Sequence, residues 1–266
     1  MFKNKISMPV VASSGGGGGY KIEQLTVTQN GLYDSEFKAY KPVYVNVPQV
    51  AQGGSLKAFL DTTKSTAYLF REYKGTSVDG LISYSDTANV IDMSYMFQLC
   101  PNLTTIPAVD THEVTNMCYM FVYCDSLTTI PALYTSKVTN MNSMFQNCPN
   151  LTTIPELDTS KVTDMSYMFS NCPNLTSIPA LDASNVTSIN SIVYKCYKLT
   201  SIGLYGFTRS IDITNTALEH DAIVAFLNQA GTAYNSSQRI TMGSTKLALL
   251  SDEEKAIATN KGWTLA

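Results

Sequence analysis

The chain has 266 residues, a net charge of −3 and only 15% charged residues, against 44% hydrophobic ones. This balance supports a folded core and excludes a disordered chain. No basic run exceeds two residues, so there is no nucleic-acid footprint, and no apolar run approaches the roughly 20 residues that span a bilayer.

Residues 1–21, MFKNKISMPVVASSGGGGGYK, open with Lys3, Lys5 and a short apolar run. Ser7 and Pro9 interrupt that run, whereas an export signal needs about 7–15 continuous apolar residues. The expectation is therefore an anchor peptide set apart by a glycine hinge at Gly16–Gly19. Ile6, Met8, Pro9, Val10 and Val11 are its candidate contacts with a partner, by strand addition or groove docking. Residues 22–52 read as a small β-module, with strands QLTVTQ and PVYVNVP and a turn at Asn30–Gly31. Residues 53–85 read as an N-terminal helical cap, because Leu56, Phe59, Leu60 and Leu69 fall at helical spacing within 54–75.

Residues 86–205 repeat. With Asp86, Asp110, Tyr134, Asp158 and Asp182 as first positions, five lines of 24 residues align without a gap. Eight columns are apolar. They begin at Val90, Met93, Met96, Phe97, Cys100, Leu103, Ile106 and Val109, and recur in each line down to Val186, Ile189, Ile192, Val193, Cys196, Leu199, Ile202 and Tyr205. Met93, Met96, Phe97 and Cys100 have the spacing of a two-turn helix with one buried face, stopped by the Pro that follows the Cys. LTTIPAL reads as a short strand. One such unit cannot bury its own apolar face, but stacked units can. The period predicts an α/β repeat fold, a right-handed solenoid of leucine-rich-repeat type with five 24-residue coils.

The recurring Cys then forms a column of reduced thiols in the core, acting as small hydrophobes. Five in a column cannot all pair, and metal-ligand spacing is lacking, with only His112 and His220 in the chain. Cys118 stands off register in a polar column and is expected to be exposed. Residues 206–266 read as an α/β C-terminal cap. It has a helix boxed by Thr216 and Glu219 and ended at Gly231, a strand QRITMG, a helix boxed by Ser251 and Glu254 with Gly262 as stop, and a final strand WTLA.

Lines such as DTSKVTDMSYMFSNCPNLTSIPAL resemble the BspA-like leucine-rich-repeat surface proteins of bacteria and phages. The flanks LTVTQNGLYDSEFKAYKPVYVNVP and LSDEEKAIATNKGWTLA resemble segments of phage virion proteins. The resemblance implies surface binding without catalysis or cofactor. It points to a virion structural protein at the tail, baseplate or capsid exterior that adheres to the host, with a bacterial cell-surface adhesin as the alternative. Partners so implied are other virion proteins through the N-terminal region and a host glycan or protein through the solenoid; a homo-oligomer is left open. Candidate ligand contacts are Tyr95, Tyr119 and Tyr167, which offer low-entropy aromatic surface, and Thr105, Thr129 and Thr153 of the polar ladder. The line-starting Asp86, Asp110, Asp158 and Asp182 are read as turn formers.

Overall fold

The computed structural model describes residues 64–73, 75–79 and 82–266 in full, together with the backbone of four strands nearer the N-terminus. Two of these, β1 (Lys5–Ala12) and β2 (Lys21–Thr28), pair antiparallel over their whole length. The backbone of the expected anchor peptide is thus paired with residues beyond Gly16–Gly19. β3 (Tyr33–Asp34) and β4 (Ala39–Tyr40) form a second small pair. The expected strand at 42–48, the Asn30–Gly31 turn, the Gly16–Gly19 hinge and the first half of the 54–75 helix lie outside the described residues.

The lines of the repeat stack on one another. Parallel bridges run Ser65–Asp92–Asn116–Asn140–Asp164–Ser188, one residue per line. The side chains stack with them. Phe70, Phe97, Phe121, Phe145 and Phe169 form a column with ring centroids 5.5, 5.5, 5.5 and 5.8 Å apart and nearly parallel planes. The Val, Met, Phe, Cys and Leu columns are buried throughout.

The repeat segments expected to be helical are not helices. Each consists of two successive four-residue turns, as in Met117–Met120 and Phe121–Cys124, closed by Met120 N–H to Met117 O at 3.4 Å and Cys124 N–H to Phe121 O at 3.2 Å. The third residue of each turn has positive φ, 59° at Tyr119 and 60° at Tyr123, the conformation a type II turn demands. Alternate N–H groups thereby point along the stack instead of back along the chain. Met117, Tyr119, Phe121 and Tyr123 donate to Asn140, Asn142, Met144 and Gln146 of the next line at 2.9–3.1 Å. The i, i+3, i+4, i+7 apolar spacing survives because two turns in tandem bring the same four positions to one side.

Residues 64–73, expected in the helical cap, follow this same turn pattern. Lys64, Tyr68 and Glu72 have positive φ, and Thr66, Tyr68, Phe70 and Glu72 donate to the line that begins at Asp86. They are a divergent extra rung of the stack. A short 3-10 helix, Tyr84–Thr87, enters the first line with a Ser83/Asp86 capping box.

LTTIPAL forms a paired strand only at the end of the stack, where β5 (Ser177–Asp182) pairs parallel with β6 (Ser201–Tyr205). Earlier lines carry Pro107, Pro131 and Pro155, which have no N–H to give to a ladder. In β6 the Pro is replaced by Gly203, whose missing Cβ would stand 2.5 Å from the Pro179 carbonyl oxygen. The register slips by one between Ile178 and Leu181. Leu204 is therefore buried, and Tyr205, expected in the apolar column, is exposed.

The C-terminal part contains β7 (Ile211–Asp212), helix α1 (His220–Gln229), β8 (Arg239–Thr241), a short helix α2 (Gly243–Leu247), α3 (Asp252–Thr259) and β9 (Thr264–Leu265). The three strands form one parallel sheet in the order β7–β8–β9. Phe207 packs on Phe226 at 5.0 Å and on Trp263 at 5.4 Å, so this part shares the core of the stack. The Ser251/Glu254 capping box of α3 is formed. The Thr216/Glu219 box is not. Glu219 itself is the N-cap of α1, and the buried Thr216 hydroxyl is consumed by a turn, donating to Ile213 O at 2.7 Å.

Candidate binding face

The third residue of the first turn in successive rungs, at positive φ, is Tyr68, Tyr95, Tyr119, Ser143, Tyr167 and Ser191. The conformation costs roughly 1–2 kcal/mol for a residue with a side chain, and a bulky residue there is uncommon. Part of that cost is offset where rings stack. Tyr68 lies on Tyr95 at 4.6 Å and Tyr95 on Tyr119 at 4.7 Å, with interplanar angles of 11° and 3°. Tyr95 and Tyr119 are half-buried by this stacking, and Tyr167 is exposed. The second positive-φ position carries Leu99, Tyr123, Asn147, Asn171 and Lys195. Asn suits it, since Asn enters the left-handed region readily. Asn171 Nδ2 donates to Asn147 Oδ1 at 2.6 Å, a side-chain ladder beside the tyrosine column.

Thr105, Thr129 and Thr153 are exposed, in a row separated along the chain from the tyrosines by the Cys–Leu turn. Their neighbours do more for the stack. The hydroxyls of Thr104 and Thr152 donate to Thr76 O and Thr128 O of the preceding rung at 3.1 and 3.4 Å. The line-starting aspartates act at turns. Asp110, Asp158 and Asp182 accept the N–H two residues on, at 3.0, 3.0 and 2.8 Å, and Asp86 accepts Ser83 N–H at 2.8 Å. Among the described residues no group of three or more His, Cys, Asp or Glu is placed to hold a metal ion. Ile6, Met8, Pro9, Val10 and Val11 all lie in β1, paired with β2.

All six cysteines are free and buried. This includes Cys118, which was expected to be exposed. Its thiol packs into the stack, and burial pushes it up to about 11. Each Cys of the column donates through Sγ to the carbonyl oxygen of a Phe one rung back, Cys124 to Phe97, Cys148 to Phe121, Cys172 to Phe145 and Cys196 to Phe169, at 3.0–3.1 Å.

Two features carried no signal of their own in the sequence. The His112 ring lies 3.6 Å from the Tyr134 ring, with its Nδ1 2.7 Å from Asp110 and 3.3 Å from the Tyr84 hydroxyl. In the C-terminal part a cavity of about 740 Å³ opens between the start of α1 and α2, lined by Leu218, His220, Met242, Ser244, Lys246 and Leu249 among others. Both gather residues distant in the chain, which a repeat period does not reveal.

No helix of the described residues is long and apolar enough to cross a membrane. No curated protein and no solved structure matches the chain. Two overlapping matches to one family cover residues 64–152 and 126–223, more than half of the chain, and the first begins at the divergent rung. With its rungs shared between both matches, the chain belongs to DUF285, a family described as Mycoplasma protein of unknown function and related to the BspA-like surface proteins.

Proposed function

We propose that the stack is a right-handed solenoid of leucine-rich-repeat type, and that the protein is a non-enzymatic virion component of a phage, on the tail, baseplate or capsid exterior, that adheres to the host surface. The observation that carries the adhesive reading is the exposed tyrosine presented at a left-handed position of a rigid, hydrogen-bonded stack, as at Tyr167. The backbone N–H groups of Tyr123 and Tyr167 are bonded to the next rung at 3.1 and 2.8 Å, which fixes where their rings stand. A face of rigid aromatic side chains also binds at low entropic cost. The non-catalytic reading is supported by polar side chains of the repeat that recur along columns, with His112 held by Asp110 and His220 by Asp221 and Glu254. The N-terminal strands would contact other virion proteins.

A cell-surface adhesin is the second reading, favoured by the relation of the family to BspA-like surface proteins. Mass spectrometry of purified particles and of bacterial envelopes separates the two. The virion reading expects a fixed copy number in particles and loss of incorporation when residues 1–12 are deleted. Recovery from envelopes alone transfers the case to the adhesin. Labelled full-length protein should be retained on bacterial cells under either reading.

A further inference from the structure

The cleft of about 740 Å³ between the start of α1 and α2 joins apolar surface to groups of opposite charge. Leu218 and Met242 line it as buried residues, and Leu249 is half exposed. Glu219 lines it from the α1 side, and Ser244, Thr245 and Lys246 from the α2 side. Clefts of roughly 300–1,000 Å³ with apolar walls and a few polar groups are the usual seats of small ligands.

These polar groups are not spent on one another. Glu219 is the N-cap of α1, yet its carboxylate caps no N–H, and among the described residues it makes no ion pair. Lys246 has three N–H groups and gives one to Thr214 O at 2.9 Å. Burial lowers its pKa from 10.5 against the pull of Asp212, so a further anion beside it is stabilising. The Ser244 and Thr245 hydroxyls are exposed and bond to no side chain or backbone group among the described residues. His220 differs, since both its ring nitrogens are held by Asp221 and Glu254, and it serves as wall.

The charges are also separated by element. A second hollow of about 450 Å³ adjoins the cleft at Ala217, Glu219 and His220 and adds Asp221, so the α1 end is acidic while α2 supplies the cation. The complementary ligand is cationic at one end, anionic at the other and apolar between. A compact space of this volume is about 9 Å across, a length that two to three extended residues span.

We propose that the cleft binds a di- or tripeptide with an apolar side chain, its ammonium group at Glu219 and its carboxylate at Lys246 and the Ser244 and Thr245 hydroxyls. The proposal is independent of the adhesive reading. The test is saturation-transfer NMR and calorimetry on the full chain with alanyl-leucyl-alanine, its N-acetylated form, its C-amidated form, and alanyl-seryl-alanine. The free leucyl peptide should bind saturably, and each of the other three should bind about tenfold more weakly. Glu219→Gln should bind the free and acetylated peptides alike, and Lys246→Gln, which keeps a donor for Thr214 O, the free and amidated peptides alike, both at unchanged melting temperature. Leu249→Ser, at a half-exposed position of little weight in folding, should weaken the leucyl peptide and leave the seryl one unchanged. No binding of the free peptide by wild type at millimolar concentration overturns the proposal. So does equal binding of the free, acetylated and amidated forms, or binding that none of the three substitutions alters.

Discussion

At the scale of single residues, the same Cys in every line has a packing reason and a polar one. The side chain is small enough for the core between the Phe and Leu columns, and its S–H reaches a Phe carbonyl one rung back. Ser would offer a stronger donor at the cost of burying a more polar group. The burial that excludes water also holds the Cys148 and Cys172 thiols well above their ordinary value of 9.0. Thiolate is the reactive form, so native protein at pH 7.5 should resist a maleimide at all six cysteines, Cys118 included, and label fully after denaturation. Fast labelling of any column Cys in the native state would contradict the burial. Phe145 sits between Phe121 and Phe169 with no exposed surface. Phe145→Ala should cost about 3–5 kcal/mol in denaturant unfolding, and a neutral outcome would contradict the stacking.

At the scale of elements, burial was legible and backbone path was not. The columns from Val90 to Leu103 announce which side chains face inward, because a period of 24 admits one phase. They do not distinguish a helix from two tandem turns, since Met93, Met96, Phe97 and Cys100 share a side in both. A helix would place Tyr95 and Leu99 at negative φ; the structure has 58° and 61°, because N–H groups shared between rungs outweigh local i−4 bonds. For the candidate face the sequence supplied the tyrosines but not the positive φ at which Tyr95, Tyr119 and Tyr167 stand. The cap was legible where its chemistry is local: Ser251 and Glu254 close their box, with Ser251 N–H to Glu254 Oε2 at 2.8 Å. Ser251→Ala should cost about 0.5–2 kcal/mol. The clasp between α1 and α3 was hidden. His220 reaches Asp221 from Nδ1 at 2.8 Å and Glu254 from Nε2 at 3.0 Å, and these two bonds, Asp221 first, raise its pKa above 6.5. A raised folded pKa gives stability that is fully present below the unfolded value and is lost as pH rises through the folded one. The wild type should therefore lose melting temperature above that range relative to His220→Gln. Superimposable pH profiles for the two would show that the clasp adds nothing.

At the scale of the whole molecule, each rung buries its apolar side chains only against its neighbours, so the ends decide whether the stack is soluble. At the C-terminal end the problem is acute. Val193 replaces Phe, and Leu199, Ile202 and Leu204 remain buried there. The C-terminal part covers them through α1, whose last residue accepts Gly206 N–H at 2.8 Å, and through Phe207, which docks on Phe226 and Trp263. Gly231 lets the chain pass close to this junction, since a Cβ there would meet Gly206 O at 2.8 Å. Uncovering four side chains such as Val193, Leu199, Ile202 and Leu204 forfeits about 1.5–3 kcal/mol each, a sum comparable with the roughly 5–15 kcal/mol that holds a whole domain together. A chain cut after Tyr205 should therefore self-associate or lose its cooperative melt, read by light scattering and calorimetry. Trp263→Ala, which thins the cap without removing it, should lower stability by about 3–5 kcal/mol and leave amide protection in the lines around Phe121 and Phe145 intact. A truncated chain that stayed monomeric with an unchanged melting temperature would mean that the stack ends itself, and that residues 206–266 form a separate unit with some other task.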